Sequence, residues 1–256
     1  MRRQTPGNNE TLHGRSVVIT RPAGTAAALA RRVRSLGGRP LLLPGLALRG
    51  AFDPSAACAG LRAALGDDLL VFTSPAAVRH AAALLPLRTS ASVLAVGQGT
   101  ARALRRHGIA APLAPQRQDS EGLLEHPLLH DLRGRRVALI GAPGGRGMLC
   151  EQLAARGAQL RELHVYRRVP PRLDRRHADA VMQLTGSACV LLSSTEALQN
   201  LHDLLPPAAW THLRAATAVA SSERLAAAAR VAGFAHVVLA ASALSADLLS
   251  AAIRAR

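Results

Sequence analysis

The chain has 256 residues, 49% of them hydrophobic, enough to bury one large core or two small ones. Aromatics make up only 2%, so those cores must be built from Ala, Leu and Val, and the net charge of +16 comes from arginine alone, since no lysine occurs. The arginines are scattered, mostly as pairs such as Arg31-Arg32, Arg105-Arg106 and Arg167-Arg168; without a basic block or stacking aromatics they speak against nucleic acid and for a small polyanionic ligand.

Residues 1–13 are polar and predicted to be disordered, and the opening MRRQTPGNNETLHGR has no apolar segment that a secretory leader would need. A strand over 16–20 leads through Arg21-Pro22-Ala23-Gly24 into a helix over 25–36 that Gly37-Gly38 stops. The next run, 39–48, is extended but broken by Pro40 and Pro44, which suit an edge or linking strand. Strands and helices then alternate: helix 54–65, strand 69–73, helix 75–85, strand 92–96, helix 99–107, a short strand near 110–114, helix 120–130, strand 136–140 and helix 146–156. A second extended run, 160–170, carries the only tyrosine, Tyr166. After it come helix 175–184, strand 188–192, helix 194–205, strand 215–220, helix 222–232, strand 235–239 and helix 244–254.

This rhythm predicts an α/β protein of two doubly wound parallel-sheet domains joined by a two-stranded linker. The first domain is discontinuous, 1–38 plus 171–256, and the second is 49–159, with 39–48 and 160–170 as the linker strands. Subtracting 120 from each number lays Gly134, Arg135, Val137, Gly144, Leu149 and Gly157 on Gly14, Arg15, Val17, Gly24, Leu29 and Gly37. The same offset lays Ser194 on Ser74, Ala197 on Ala77 and Leu204-Leu205-Pro206 on Leu84-Leu85-Pro86. One register over two separate segments points to an ancient duplication.

The strand ends repeat one chemistry. Thr20-Arg21, Thr73-Ser74, Gly97-Gln98-Gly99-Thr100, Ser120-Glu121, Gly144-Gly145-Arg146, Ser193-Ser194 and Ser221-Ser222 each stand at a strand-to-helix turn or a helix start. Hydroxyls and free N–H groups there bind anions, helped by the helix dipole, although Ser and Thr also cap helices without any ligand. Seven such ends, expected to face one cleft between the domains, make Thr20, Arg21, Thr73, Ser74, Gly97, Gln98, Thr100, Ser120, Gly145, Arg146, Ser193, Ser194 and Ser222 candidate ligand-binding residues. Val96-Gly97-Gln98-Gly99-Thr100 lacks the third glycine of a dinucleotide fingerprint, and Gly141–Gly147 lacks the Lys-Ser/Thr of a P-loop. The ten histidines show no paired metal-ligand spacing, and no metal is expected. Asp67-Asp68 reads as a turn before a strand. Cys58, Cys150 and Cys189 read as free thiols of a reducing, cytoplasmic compartment, and no run approaches a membrane span. A monomer is expected.

The ordered motifs T-R-P (20–22), V-F-T-S-P-A-A-V (71–78), A-V-G-Q-G-T-A (95–101), D-S-E-G-L-L (119–124), G-G-R (144–146), V-Y-R-R (165–168), S-S-T-E-A-L (193–198) and V-A-S-S-E-R-L (219–225) resemble the uroporphyrinogen-III synthase family of the bacterial type. The resemblance covers about residues 14–254. It implies a cofactor-free enzyme of two α/β domains whose substrate is hydroxymethylbilane, a linear tetrapyrrole polycarboxylate. It also implies loss of water, a spiro intermediate and inversion of ring D. By the same resemblance Tyr166 takes the place of the family tyrosine that assists the departing hydroxyl. Thr73, Ser74, Thr100, Ser194 and Ser222 fall on hydroxyl positions, and Arg21 and Arg146 on basic ones. Ser193 replaces the more usual threonine, and Gly141 stands where an arginine is common. Two rival readings remain: a non-catalytic two-domain anion-binding sensor, which would not need Tyr166, and a nucleotide-sugar transferase, which would want a carboxylate pair for a metal.

Overall fold

The computed structural model describes residues 11–117, 119–144 and 147–255. From the amino end, β1 (Ser16–Ile19), α1 (Ala27–Ser35), β2 (Arg39–Leu42) and β3 (Ala47–Gly50) are followed by α2 (Pro54–Ala64), β4 (Leu69–Phe72), α3 (Pro75–Leu84), β5 (Ser92–Ala95) and α4 (Gln98–Arg106). Then come α5 (Ser120–Leu124), β6 (Arg136–Gly141), α6 (Gly147–Ala155), β7 (Gln159–His164) and β8 (Tyr166–Val169). The chain closes with α7 (Arg175–Met182), β9 (Cys189–Leu191), α8 (Thr195–Leu204), α9 (Pro207–Arg214), β10 (Thr217–Ala220), α10 (Glu223–Val231), β11 (Val237–Leu239) and α11 (Ser245–Arg254).

The chain divides into two compact units. One joins the residues up to Ala47 to those from Val169 onward, and the other is Leu48–Arg168. The first holds a parallel sheet of order β11-β10-β9-β1-β2, the second a parallel sheet of order β5-β4-β6-β7, and β3 pairs with β8 where the chain passes from one unit to the other. Matched at the 120-residue offset, the two sheets have the same plan: β6 corresponds to β1, β7 to β2 and β4 to β9. Backbone geometry carries the repeat further. Gly14, Gly24 and Gly37 have φ of 75°, 77° and 75°, and their counterparts Gly134, Gly144 and Gly157 have 71°, 72° and 88°. Glycine reaches that left-handed region without the steric penalty of a Cβ.

Each sheet is buried on both faces, so alternate side chains enter different cores. In the second unit Leu70, Phe72, Ala138 and Ile140 pack under α2, α3 and α4, while Leu69, Val71, Val137 and Leu139 pack under α5 and α6. In the first unit Val18, Val190 and Ala218 face α7–α10, and Val17, Ile19, Cys189 and Val219 face α1 and α11. At the amino end of the second sheet Asp67 is buried, and its carboxylate accepts from Arg161 Nε at 3.1 Å. Asp68 accepts from the Arg136 backbone N–H at 2.8 Å, so the Asp67-Asp68 pair ties β4 to β6 and β7.

Four sequence expectations are adjusted, the last three where proline acts. Residues 39–42 and 159–164, assigned largely to the linker, are edge strands of the two sheets; the linking pair is the shorter β3 and β8. The helix expected over 120–130 breaks after Leu124 into a 3₁₀ turn at Pro127–Leu129, because the residue before a proline is pushed out of the helical region; His126 has φ −69° and ψ 130°. The strand expected near 110–114 is reduced to one bridge between Leu113 and Leu94, with Pro112 and Pro115 flanking it. Helix α9 lies in a stretch to which the sequence pattern assigned nothing. Its Pro207 sits in the first turn, where no N–H is needed. Of the 13 residues expected to be disordered, 1–10 lie outside the described residues.

Gly45 follows β2 and lies against the start of α8: a Cβ there would sit 2.6 Å from both the Cβ and the carbonyl oxygen of Ala197. Gly45→Ala is therefore expected to destabilise the protein by about 1–3 kcal/mol through overpacking. Urea or thermal unfolding measures it, and a variant with wild-type stability would refute this account of the contact.

Candidate functional site

In both units the two middle strands send their connections to opposite faces of the sheet. After β4 the chain turns into α3 on one face and after β6 into α6 on the other; β9 and β1 do the same with α8 and α1. The carboxyl ends of such a strand pair are where open α/β sheets leave room for a ligand.

In the second unit this point is built around Thr73, Ser74 and Tyr166. Thr73 is buried, and its hydroxyl donates across the gap to the Ile140 carbonyl at 3.2 Å. Ser74 is extended (φ −164°, ψ 160°) and caps α3, accepting from Ala77 N–H at 3.0 Å, with Pro75 opening the helix. The Tyr166 hydroxyl lies 3.1 Å from Ser74 Oγ. Its ring is buried and stacks on the imidazole of His80, centroids 5.3 Å apart and planes within 13°. Burial first, and the neighbouring Arg79 charge second, hold the His80 pKa below its usual value. His80 therefore presents a neutral ring at neutral pH. Next in sequence, Arg167 lies over Phe52, and Arg168 donates to the carbonyl of Pro143 at 3.0 Å, holding the glycine-rich turn that follows β6.

Gly141 ends β6, and a Cβ on it would come within 2.5 Å of the Thr73 hydroxyl. A glycine here lets Thr73 reach across to Ile140, and any side chain at this position would displace that hydroxyl. A cavity of about 270 Å³ opens beside it, lined by Thr73, Gly141, Gly144, Cys150, Glu162 and His164.

The first unit repeats the arrangement with different side chains. Thr20 is fully buried; its hydroxyl donates to Leu191 carbonyl at 2.9 Å and accepts from Ser193 N–H at 2.9 Å. Ser193 Oγ donates to the Thr20 carbonyl at 3.1 Å, the counterpart of the Thr73–Ile140 bond. Ser194 caps α8 through Ala197 N–H at 3.1 Å, and Ser222 caps α10 through Leu225 N–H at 3.3 Å. Arg21 occupies the position of Gly141. Its guanidinium is partly buried, and burial lowers its pKa. It reaches the Ala243 carbonyl at 3.5 Å and, with Ser193 and Ser221, lines a cavity of about 100 Å³.

Of the other candidates, Gly97 caps α4 in extended conformation and Gln98 is its first residue, exposed. Thr100 is buried within α4. Ser120 opens α5, but the cap is Asp119, which accepts from Gly122 N–H at 2.7 Å and from Arg117 Nε at 2.6 Å. The Gly122 bond first of all, then Arg117, keeps the Asp119 pKa low. Gly145 and Arg146 lie outside the described residues. Thr20, Thr73 and Thr100 are thus held inside the fold, whereas Arg21, Ser74, Ser193, Ser194 and Ser222 stand at its rim. Sequence reasoning did not single out His80. Its only signal was the 120-residue partner Asn200, whose side chain donates to the Gly45 carbonyl at 2.9 Å. Among the described residues no group of His, Cys, Asp and Glu is placed to hold a metal, and no helix is long and apolar enough to cross a membrane.

Comparison with known proteins finds the family described as Uroporphyrinogen-III synthase HemD, whose model matches residues 27–250. A uroporphyrinogen-III synthase of Escherichia coli is 32% identical over 247 residues, covering 92% of this chain and 99% of that protein. One of Salmonella typhimurium is 31% identical over 245 residues, with the same two coverages. A crystal structure of a mutant uroporphyrinogen III synthase from Thermus thermophilus superposes with a TM-score of 0.59 at 25% identity, covering 94% of this chain and 98% of that one. The Helicobacter pylori uroporphyrinogen-III synthetase structure shares the fold, with a TM-score of 0.61 at 16% identity over 94% of this chain and 100% of that one.

All three cysteines are free thiols. Burial first, and the Glu162 carboxylate second, push the Cys150 pKa up to about 11; burial alone pushes Cys189 up to about 11. A raised thiol pKa depletes the thiolate, so at pH 7 about one molecule in 10⁴ carries the reactive form at either site. Alkylation of Cys150 by iodoacetamide, followed by peptide mass spectrometry, is expected to speed up about tenfold per pH unit from 7 to 10. A plateau by pH 8 would contradict this.

Proposed function

The chain belongs to the uroporphyrinogen-III synthase family, and we infer that it closes hydroxymethylbilane to uroporphyrinogen III, with loss of water and inversion of ring D. The observation that carries the reading of the site is the 3.1 Å contact between the Tyr166 hydroxyl and Ser74 Oγ, at the carboxyl end of β4.

Ser74 Oγ already accepts a hydrogen bond from Ala77 N–H, which leaves its own hydrogen free to donate to the phenol oxygen. Tyr166 then keeps its hydrogen for the substrate hydroxyl. As the C–O bond breaks, the phenol proton passes to the hydroxyl, which leaves as water, and the proton released from ring D at reclosure restores the phenol. The terminal carbon left behind is cationic and conjugated with its pyrrole. Attack on it from the substituted carbon of ring D gives the spiro intermediate; fragmentation and reclosure at the other end of that ring complete the inversion. The unassisted chain closes without inversion, so the protein's main task is to hold one conformation of a flexible substrate. It also has to stabilise the cation.

For that holding task we assign Arg21, Ser193, Ser194 and Ser222 in the first unit and Gly97 and Gln98 in the second to the substrate carboxylates. Helix N-termini supply further donors. Arg21 suits this because it is partly desolvated and makes one long bond to a carbonyl. The two cavities, about 270 and 100 Å³, are below the 300–1,000 Å³ of a pocket that encloses a drug-sized ligand. The smaller, walled by Arg21, suits a carboxylate arm; the larger is lined by Glu151 and Glu162 and is not assigned one. Thr20, Thr73 and Thr100 we read as supports of the rim, Gly145 and Arg146 as contacts on sequence grounds alone, and Ser120 as the weakest member of the set, since Asp119 does the capping there. Action in the reducing cytoplasm fits three free thiols.

Purified protein given hydroxymethylbilane, without added metal or cofactor, is expected to yield the type III isomer. Chromatography of the oxidised porphyrins showing only type I at the spontaneous rate would support the binding-only sensor instead. Tyr166→Phe keeps the ring and removes the hydroxyl. It is expected to lower kcat by about 10²–10⁴-fold with little change in KM or melting temperature. Wild-type turnover in that variant would make the tyrosine structural.

A further inference from the structure

We propose that His80 is a positioning residue for Tyr166, holding the phenol ring at the angle from which its hydroxyl meets Ser74 and the substrate. The proposal rests on reading Tyr166 as the group that assists the departing hydroxyl.

Three observations converge on it. First, α3 touches Tyr166 at two points, the cap Ser74 at the hydroxyl and His80 at the ring face. Helical side chains lean toward the helix N-terminus, so an imidazole in the second turn reaches back over the turn where Ser74 sits. A hydrogen bond fixes one atom of a phenol but leaves its ring free to swing about that atom. A parallel ring on one face removes that freedom. Second, the imidazole is held as a neutral ring by burial and by the Arg79 charge. It therefore stacks as one aromatic on another, without a positive charge beside the phenol. Third, the other copy of the repeat turns the same helix position toward the same segment. Asn200, 120 residues on, donates to the Gly45 carbonyl at 2.9 Å, and Gly45 precedes Leu46, the counterpart of Tyr166. In both copies this side chain contacts the start of the linking segment, at Gly45 just before β3 and at Tyr166, the first residue of β8. In the second unit the contacted residue is the one carrying the phenol.

Because Tyr166 is the only tyrosine, 3-fluorotyrosine labelling places one fluorine reporter on this ring and nowhere else. His80→Ala is expected to move and narrow that resonance as the ring gains freedom, and to lower kcat about tenfold with KM within about twofold. His80→Phe restores a flat ring face and is expected to recover both the resonance position and most of kcat. Loss of the resonance shift in His80→Ala, or a shifted resonance with wild-type kcat, would overturn the proposal. So would a His80→Phe variant that remains as slow as His80→Ala while folded. Tyr166→Phe turning over like wild type would instead defeat the role of the tyrosine itself, so the two failures are told apart.

Discussion

Two adjacent parallel strands whose connections leave on opposite faces cannot cover the gap between their own carboxyl ends. That constraint acts in both units, at β1/β9 and at β4/β6, and the rest of the site follows from it. The open ends must still satisfy their backbone groups. Each copy does so with a hydroxyl reaching sideways to the neighbouring strand, Thr73 to Ile140 and Ser193 to Thr20, and in the first unit Thr20 also reaches Leu191. The residue after that hydroxyl then caps a helix: Ser74 for α3 and Ser194 for α8. A rim of helix N-termini around an uncovered gap is the outcome, and it favours anions before any particular side chain is chosen.

The duplication set up two such rims, and the copies have since diverged at the positions that matter. Position 21 carries a guanidinium where position 141 carries a glycine pressed against Thr73. Position 166 carries a buried phenol where position 46 carries leucine, and positions 80 and 200 hold imidazole and amide. The cation and the aromatic hydroxyl therefore sit on different copies. An internal repeat allows this, because each copy keeps its sheet while its rim changes.

Much of this was legible in the residues. Apolar runs and glycine stops located the buried strands, because strands covered on both faces need little else to declare themselves. The 120-residue register identified the pairs of positive-φ glycines. Tyr166 and the capping serines were visible as residue types at strand ends. What was hidden depended on contacts between distant segments. The inward-turned hydroxyls of Thr20 and Thr73 read as ligand contacts until the facing carbonyls were in place. His80 is six residues from Ser74 and 86 from Tyr166, and no local pattern marks a histidine as the neighbour of a tyrosine so far away. Helix α9 lies in a stretch the sequence pattern left unassigned, and its first residue, Pro207, follows directly on Pro206.

The first sheet also sets an order of events during synthesis. β1 lies in its interior, with β2 on one side and β9 on the other, and Val17 pairs with Cys189. The second unit is a single continuous piece, Leu48–Arg168, and all of it is synthesised before β9 is made. At roughly 5–20 residues per second, β1 and β2 wait about 7–30 s with one edge unpaired and one apolar face uncovered. Over that interval the amino-terminal fragment is the client a chaperone would meet, with the growing second unit tethered to it. Slow codons placed between Val169 and Cys189 would lengthen the exposure of β1 without touching any contact in the folded protein.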